Sequence, residues 1–363
     1  MKKIPNITGL RFFLAVCVLI FHTSEFCSKH NIPFYNNLPI FNKGYEAVCM
    51  FFSLSGFLII RQLYVEKKSS DTISLKKFYL RRSLRIFPLY FLILSYGFLH
   101  YNFILPKFGF EGDFNNNYNL IEGILLSVFF MPNVFASIHS PGGIIEILWS
   151  LGVEEQFYLF IAPMLFLIPL KKHVLFLLFF TFIFFGLYFY VEESLLSKFG
   201  MLFFYFTSSG IISVLLLEKK ILLNSTVIRF ILISLFIIYF STTIFVDFLS
   251  NANYNLVSML LFSIVIGSLS CNSYFLLNNH LITYLGKISY GIYMFHPIVV
   301  QFTGLLYLKL FLKMEINSFL IILFYNIFVV ALTLIMSYLS YKYFETFFIK
   351  LYPKNSSLSK NLL

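Results

Sequence analysis

Residues 173–191, HVLFLLFFTFIFFGLYFYV, contain no Asp, Glu, Lys or Arg. A helix of about 20 mostly apolar residues is what the hydrocarbon core of a bilayer demands, and this chain repeats such runs along its length. Ten stretches qualify: 8–27, 44–63, 86–104, 148–170, 173–191, 200–217, 227–247, 254–270, 284–310 and 319–342. Of the 363 residues, 59% are hydrophobic and only 12% charged, against roughly 25% charged in an ordinary soluble domain. A soluble fold could not cover that much apolar surface. The expected fold is therefore all-α, a polytopic integral membrane bundle of about ten transmembrane helices. A further apolar piece, 120–137, is interrupted by Met131-Pro132-Asn133. It is expected to be re-entrant or interfacial rather than crossing.

Loop charge orients the expected bundle. With the N-terminus in the cytoplasm, the inner segments hold Lys2, Lys3, Lys67, Lys68, Lys76, Lys77, Arg81, Arg82, Arg85, Lys171, Lys172, Lys219, Lys220, Lys342, Lys350, Lys354 and Lys360. The outer ones hold Lys29, Lys43, Lys107, Lys198 and Lys313, with Glu111, Asp113, Glu192 and Glu193. Counting 120–137 as a span would move Lys171 and Lys172 outside, against the positive-inside bias. Both termini are thus expected in the cytoplasm. The same bias accounts for the 27 Lys+Arg against 16 Asp+Glu without invoking nucleic acid. Residues 1–350 read as one transmembrane domain and 351–363 as a short polar tail. The N-terminal apolar run has no small-residue cleavage site after it and reads as an uncleaved first span. Cys17, Cys27, Cys49 and Cys271 have no metal-ligand spacing, so neither a metal site nor a disulfide is expected.

Ionisable groups at membrane depth call for a reason. Arg11 and His22 lie eleven residues apart in the first span, close to three helical turns, and so share a face about 16 Å apart. Arg11 also suits a snorkelling anchor, and His22 a packing histidine. Glu154 and Glu155, in LWSLGVEEQFYLFIAP, fall at about the depth of His22. One of them could orient its ring and raise its basicity; a polar clamp between helices is the structural alternative. Glu46 enters the second span at similar depth.

In FFSLSGFLII, residues 51–60, Ser53, Ser55 and Gly56 permit close helix approach. Ser55 is a weak nucleophile candidate, because the G-x-S-x-G elbow is absent. In KKFYLRRSLRIFPLY, Arg82 and Arg85 share a helix face and, with Arg81, suit either phosphate recognition or an anchor on anionic lipid. In KISYGIYMFHPIVV, Pro297 frees a backbone carbonyl in mid-span, while Tyr290, Tyr293 and His296 bring polar groups to the same region. His296 is open between a catalytic and a structural role. Glu345 reads as a boundary residue. There is no H-x-x-x-x-D, G-x-x-x-x-G-K-[ST] or H-E-x-x-H pattern, so ATP hydrolysis is not expected.

In chain order, GLRFFLAVCVLIFH, FFSLSGFLI, RRSLRIFPLY, LWSLGVEEQFYL and SYGIYMFHP resemble the membrane-bound acyltransferase family 3. The resemblance implies transfer of an acyl group, usually acetyl, from cytosolic acyl-CoA to a hydroxyl of a bacterial surface polysaccharide or its lipid-linked precursor. It implies a multi-pass protein of the bacterial inner membrane. His22 and Arg11 match the family's first-span pair, Arg82 and Arg85 its Arg-x-x-Arg, and Glu154 to Tyr158 its Glu-Glu-Gln-Phe-Tyr. The family's Glu-x-Pro reads Glu345-Thr346-Phe347 here.

On this reading Arg81, Arg82 and Arg85 hold the CoA phosphates and Arg11 guides the CoA arm. The pantetheine threads into the bundle, and His22 deprotonates a hydroxyl arriving from outside. Glu154 or Glu155 stabilises the imidazolium. Tyr290, Trp149 or a freed backbone N–H serves as oxyanion donor, and an acyl-histidine intermediate remains a variant. Two other classes suit the same apolar chain: a flippase or exporter of a lipid-linked saccharide, and a scaffold subunit whose buried charges clamp helices.

Overall fold

The computed structural model describes residues 4–107, 118–223, 225–311 and 317–352. Lys2, Lys3, Glu111, Asp113, Lys313, Lys354 and Lys360, and the expected tail from residue 353 onward, lie outside them. Among the described residues every regular element is helical. Ten long helices correspond one to one with the expected spans: α1 (Ile7–Lys29), α2 (Gly44–Ser70), α3 (Leu75–Leu99), α4 (Trp149–Leu167), α5 (His173–Tyr190), α6 (Phe203–Leu217), α7 (Thr226–Ser241), α8 (Asn251–Leu269), α9 (Ser289–Leu306) and α10 (Ser318–Leu339).

Seven of these, α1, α2, α3, α5, α8, α9 and α10, are long and apolar enough to cross a membrane, counted among the described residues. The difference from ten has local causes. The apolar run at 227–247 breaks after Ser241 and restarts as a separate helix, Ile244–Phe248. The run at 200–217 begins in a turn around Gly200, whose φ is +62°, leaving α6 only 15 residues. Helix α4 has 19 residues, but Glu154, Glu155 and Gln156 dilute its apolar character. Residues 120–137 form two short helices, Leu120–Val128 and Pro132–Ile138. Phe130, with φ +59°, stands between them, and neither is long enough to span. Helix α3 starts earlier than the apolar pattern suggests, so the arginine cluster sits inside its first turns. The run at 284–310 divides at Ile288 into His280–Lys287 and α9.

The chain forms two compact units. The first comprises Met1–Val48, Ile237–Phe245 and Ser273–Leu363. In it α1 packs on α9 and on His280–Lys287, and α9 packs on α10. Gly286 lies against the Thr8 carbonyl, where any Cβ would meet backbone. Buried Asn6 clasps the start of α1: its N–H donates to Asn278 Oδ1 at 2.9 Å and its Oδ1 accepts the Tyr274 N–H at 2.9 Å. Glu345, expected at a boundary, is buried and accepts the Ser340 hydroxyl at 3.0 Å.

The second unit comprises Cys49–Phe236 and Val246–Asn272. Helix α6 packs between α5 and α8. The close approach expected in FFSLSGFLII is made by Gly56, which rests on the backbone of Phe206. The last carbonyls of a helix have no partner within it, and α4 ends just before Pro169. Lys67 fills that end: its buried ammonium donates to the carbonyls of Leu165, Phe166 and Ile168 at 2.8, 2.7 and 2.6 Å. His173 Nε2 lies 3.1 and 3.0 Å from the Leu165 and Ile168 carbonyls. An expected loop cation is thus a helix cap, the sign of charge a helix C-terminus favours. Lys67→Met is expected to lower stability by about 1–3 kcal/mol, read as thermal unfolding of the purified protein in detergent. The same change at exposed Lys68 should shift it far less.

Candidate functional site

In the first unit the local chemistry starts from a missing N–H. Pro297 cannot donate to the carbonyl four residues back, that of Tyr293. His296 Nδ1 takes that carbonyl at 2.6 Å. A carbonyl only accepts, so Nδ1 carries a proton, and in the neutral ring Nε2 keeps its lone pair. The His296 side chain is fully buried, and its Nε2 has no hydrogen-bond partner among the described residues. Its ring stacks on that of His22, with centroids 5.2 Å apart and planes 26° from parallel. The Tyr293 ring stands edge-on at 5.7 Å.

His22 is half-buried on α1. Its Nδ1 lies 3.1 Å from Glu25 Oε2, one turn further along, and Glu25 also binds Lys29 at 3.0 Å. A carboxylate at Nδ1 fixes the proton there and leaves Nε2 free to act as a base. Depth along the helices pointed to Glu154 or Glu155 for this role; the acid bonded to His22 is Glu25. The signal was in the sequence, since residues three apart share a helix face. Arg11 and Tyr290 are both half-buried. Glu46 pairs with Lys43 at 3.3 Å at the start of α2, and the Lys43 ammonium sits 4.9 Å from the Tyr239 ring centroid.

In the second unit the Glu-Glu-Gln-Phe-Tyr stretch divides its work. Glu154 Oε1 accepts the Ser55 hydroxyl at 2.8 Å and its Oε2 the Tyr158 hydroxyl at 2.9 Å. Ser55 thereby donates to a carboxylate. The Arg82 guanidinium lies over the Tyr158 ring, 5.7 Å from its centroid. Glu155 is buried, and its Oε1 has no partner among the described residues. Gln156 donates to the Phe130 carbonyl at 2.8 Å and to Asn133 Oδ1 at 2.7 Å, while Asn133 donates to the Phe199 carbonyl at 3.0 Å. Trp149 packs edge-on to Phe52 at 5.8 Å.

The three arginines differ. Arg81 sits 3.7 Å from Glu66, with its side chain only 8% exposed. Arg82 is stacked. Arg85 is half-buried and makes no hydrogen bond or ion pair among the described residues. Sequence reasoning singled out His22, His296, Glu154 and the arginines as candidates, but not Glu25, the acid bonded to His22, nor Gln156, the tie to the 120–138 segment. Chemically, the first unit offers an oriented imidazole base beside a second imidazole. The second offers guanidinium groups suited to phosphate.

Comparison with known proteins is consistent with such groups. A family model described as an acyltransferase domain matches residues 4–338. Peptidoglycan O-acetyltransferase OatA of Listeria monocytogenes is 28% identical over 47% of this chain and 25% of its own length. A Staphylococcus aureus protein named "Putative O-acetyltransferase" is 24% identical over 96% of this chain and 58% of its own length. A protein of Acidianus two-tailed virus named "Putative acetyltransferase" is 27% identical over 83% of this chain and 84% of its own length. This chain therefore spans a quarter of the Listeria relative and 58% of the staphylococcal one. No solved structure matches it.

Gln156→Ala should release the Phe130 and Asn133 contacts. Amide hydrogen exchange across 129–138 is expected to speed up selectively, with the rest of α4 unchanged. Unaltered exchange there would mean that Gln156 does not hold the segment.

Proposed function

The chain belongs to the acyltransferase family whose model matches residues 4–338, and on that premise we propose that it moves an acetyl group from cytosolic acetyl-CoA to a carbohydrate hydroxyl. The acceptor on this reading is a surface polysaccharide or its lipid-linked precursor. The setting is the bacterial inner membrane, crossed by the ten long helices with both termini inside. The Listeria relative carries peptidoglycan in its name, which makes glycan strands of the wall an acceptor to try early.

The observation that carries the reading is the 3.1 Å contact of His22 Nδ1 with Glu25, which leaves Nε2 as a base. Nε2 takes the proton of the acceptor hydroxyl as its oxygen attacks the thioester carbonyl. The tetrahedral intermediate then collapses, its C–S bond breaks, and the departing thiolate takes the proton back from the imidazolium. Products are the acetyl ester and free CoA, with His22 restored. Glu25 stabilises the imidazolium, the part depth had assigned to Glu154 or Glu155.

Arg82 and Arg85 are proposed to bind the CoA phosphates, with Arg11 near the donor arm. Arg81, held by Glu66, contributes less. Glu154 acts on this reading as a positioning residue: it fixes the Tyr158 ring over which the Arg82 guanidinium lies. The half-buried state of Arg85 without an ion pair among the described residues supports a cation available to a ligand.

Membranes given labelled acetyl-CoA should deposit label on glycan. His22→Ala is expected to lower the rate at least about a hundredfold, the scale of a lost general base, with folding and CoA binding retained. Full transfer by His22→Ala would remove His22 from the mechanism. Glu25→Gln should give an intermediate loss. In a separate titration, Arg82→Glu or Arg85→Glu should raise the acetyl-CoA concentration needed for half-maximal rate. An unchanged requirement would leave those arginines as lipid anchors. Movement of an unmodified lipid-linked sugar, with no label on it, would favour an exporter instead.

A further inference from the structure

We infer that His296 Nε2 accepts a hydrogen bond from an N–H or O–H group of a bound substrate, and so forms a second substrate contact beside His22. The inference rests on the reading of His22 as the base of acetyl transfer. It starts from an unmet acceptor. His296 is fully buried, its Nδ1 is committed to the Tyr293 carbonyl at 2.6 Å, and its Nε2 is left without a protein partner among the described residues. A buried acceptor with nothing to accept is destabilising, and native structures leave few of them.

The ring cannot relieve the deficit by itself. Turning it over would surrender the Tyr293 carbonyl, which Pro297 already leaves without its helical donor. The Tyr293 bond also fixes the neutral ring as the Nδ1–H form, in which Nε2 can accept but not donate. The missing partner must therefore bring its own hydrogen. Carboxylates, ethers and thioester carbonyls are excluded by that rule; amide N–H and hydroxyl groups are admitted.

Position supplies the second half. The His296 ring stacks on the ring of the proposed base, with centroids 5.2 Å apart. A molecule that places its reacting atom at His22 would bring its neighbouring atoms beside the His296 ring. Both substrates of the proposed reaction carry a suitable donor next to the reacting centre. The pantetheine arm has an amide N–H near the thioester sulfur. A sugar has a hydroxyl or acetamido N–H on the carbon next to the one acylated. A site that fills a buried acceptor only with the right substrate discriminates strongly against analogues lacking the donor.

The test uses His296→Phe, which keeps an aromatic ring without nitrogen, and His296→Gln, which returns an amide acceptor. Each full-length variant is compared with the native protein in membranes containing the natural glycan. The rate of label transfer is followed against acetyl-CoA concentration, and binding of CoA to the purified proteins is measured alongside. Thermal unfolding confirms that the variants are folded. His296→Phe is expected to lose about tenfold or more, the worth of a hydrogen bond to a buried group, and His296→Gln to recover part of it.

A raised half-saturating acetyl-CoA concentration with weaker CoA binding would identify the pantetheine amide as the donor. Unchanged CoA binding with a lower maximal rate would identify the acceptor sugar. Either supports the contact. His296→Phe matching the native rate overturns it, as does an equal loss in both folded variants. Full transfer by His22→Ala has a different signature: it removes the reading on which the contact rests while the His296 variants are still measured directly.

Discussion

A backbone carbonyl inside a bilayer has no water to turn to, so the protein must supply a donor wherever a helix fails to. Much of this structure follows from meeting that demand. Pro297 strips the Tyr293 carbonyl of its N–H, and His296 replaces it at 2.6 Å. Pro163 does the same to the Leu159 carbonyl, and the Tyr79 hydroxyl reaches it at 3.4 Å. The end of α4 leaves three carbonyls that Lys67 gathers on one ammonium. Each repair uses a polar side chain to supply the donor the helix lacks. In the first case the repair also decides the chemistry: the histidine that serves the carbonyl is locked in one tautomer and packed against His22.

The Glu-Glu-Gln-Phe-Tyr stretch shows how a short motif can carry several tasks. Successive positions on a helix point about 100° apart. Glu154 therefore addresses Ser55 and Tyr158, while Gln156 addresses Phe130 and Asn133. Through Tyr158, Glu154 also governs where the Arg82 guanidinium rests. The motif is a junction joining α2, α3, α4 and the broken 120–138 segment within the second unit.

Membership of the acyltransferase family agrees with what the residues themselves suggest. An imidazole with a carboxylate on one nitrogen is equipped for proton transfer. A guanidinium resting over an aromatic ring is equipped for phosphate. The overlap with the Listeria and staphylococcal relatives covers only part of those proteins, so the family fixes the class of chemistry more firmly than the acceptor.

Helix positions were legible in the sequence because apolar length is a local property. The ten runs mark ten helices, and they falter where a local break, such as Thr242-Thr243 after α7 or the turn at Gly200, interrupts an otherwise apolar run. His22, Glu154 and Arg82 were legible because a polar residue in such surroundings is conspicuous. Partnership was not. Lys67 looked like one more loop cation until its carbonyls were in view, and Glu345 like a boundary residue until Ser340 was. Glu25 passed unnoticed beside the more prominent Glu154-Glu155 pair. By itself the sequence determined that the chain is helical, apolar and bound to a membrane, and which few polar side chains it must accommodate. Only the tertiary structure decided which of them meet, because hydrogen bonds depend on distance and direction over a few ångströms, and helical periodicity sets a side chain's face but not its neighbour.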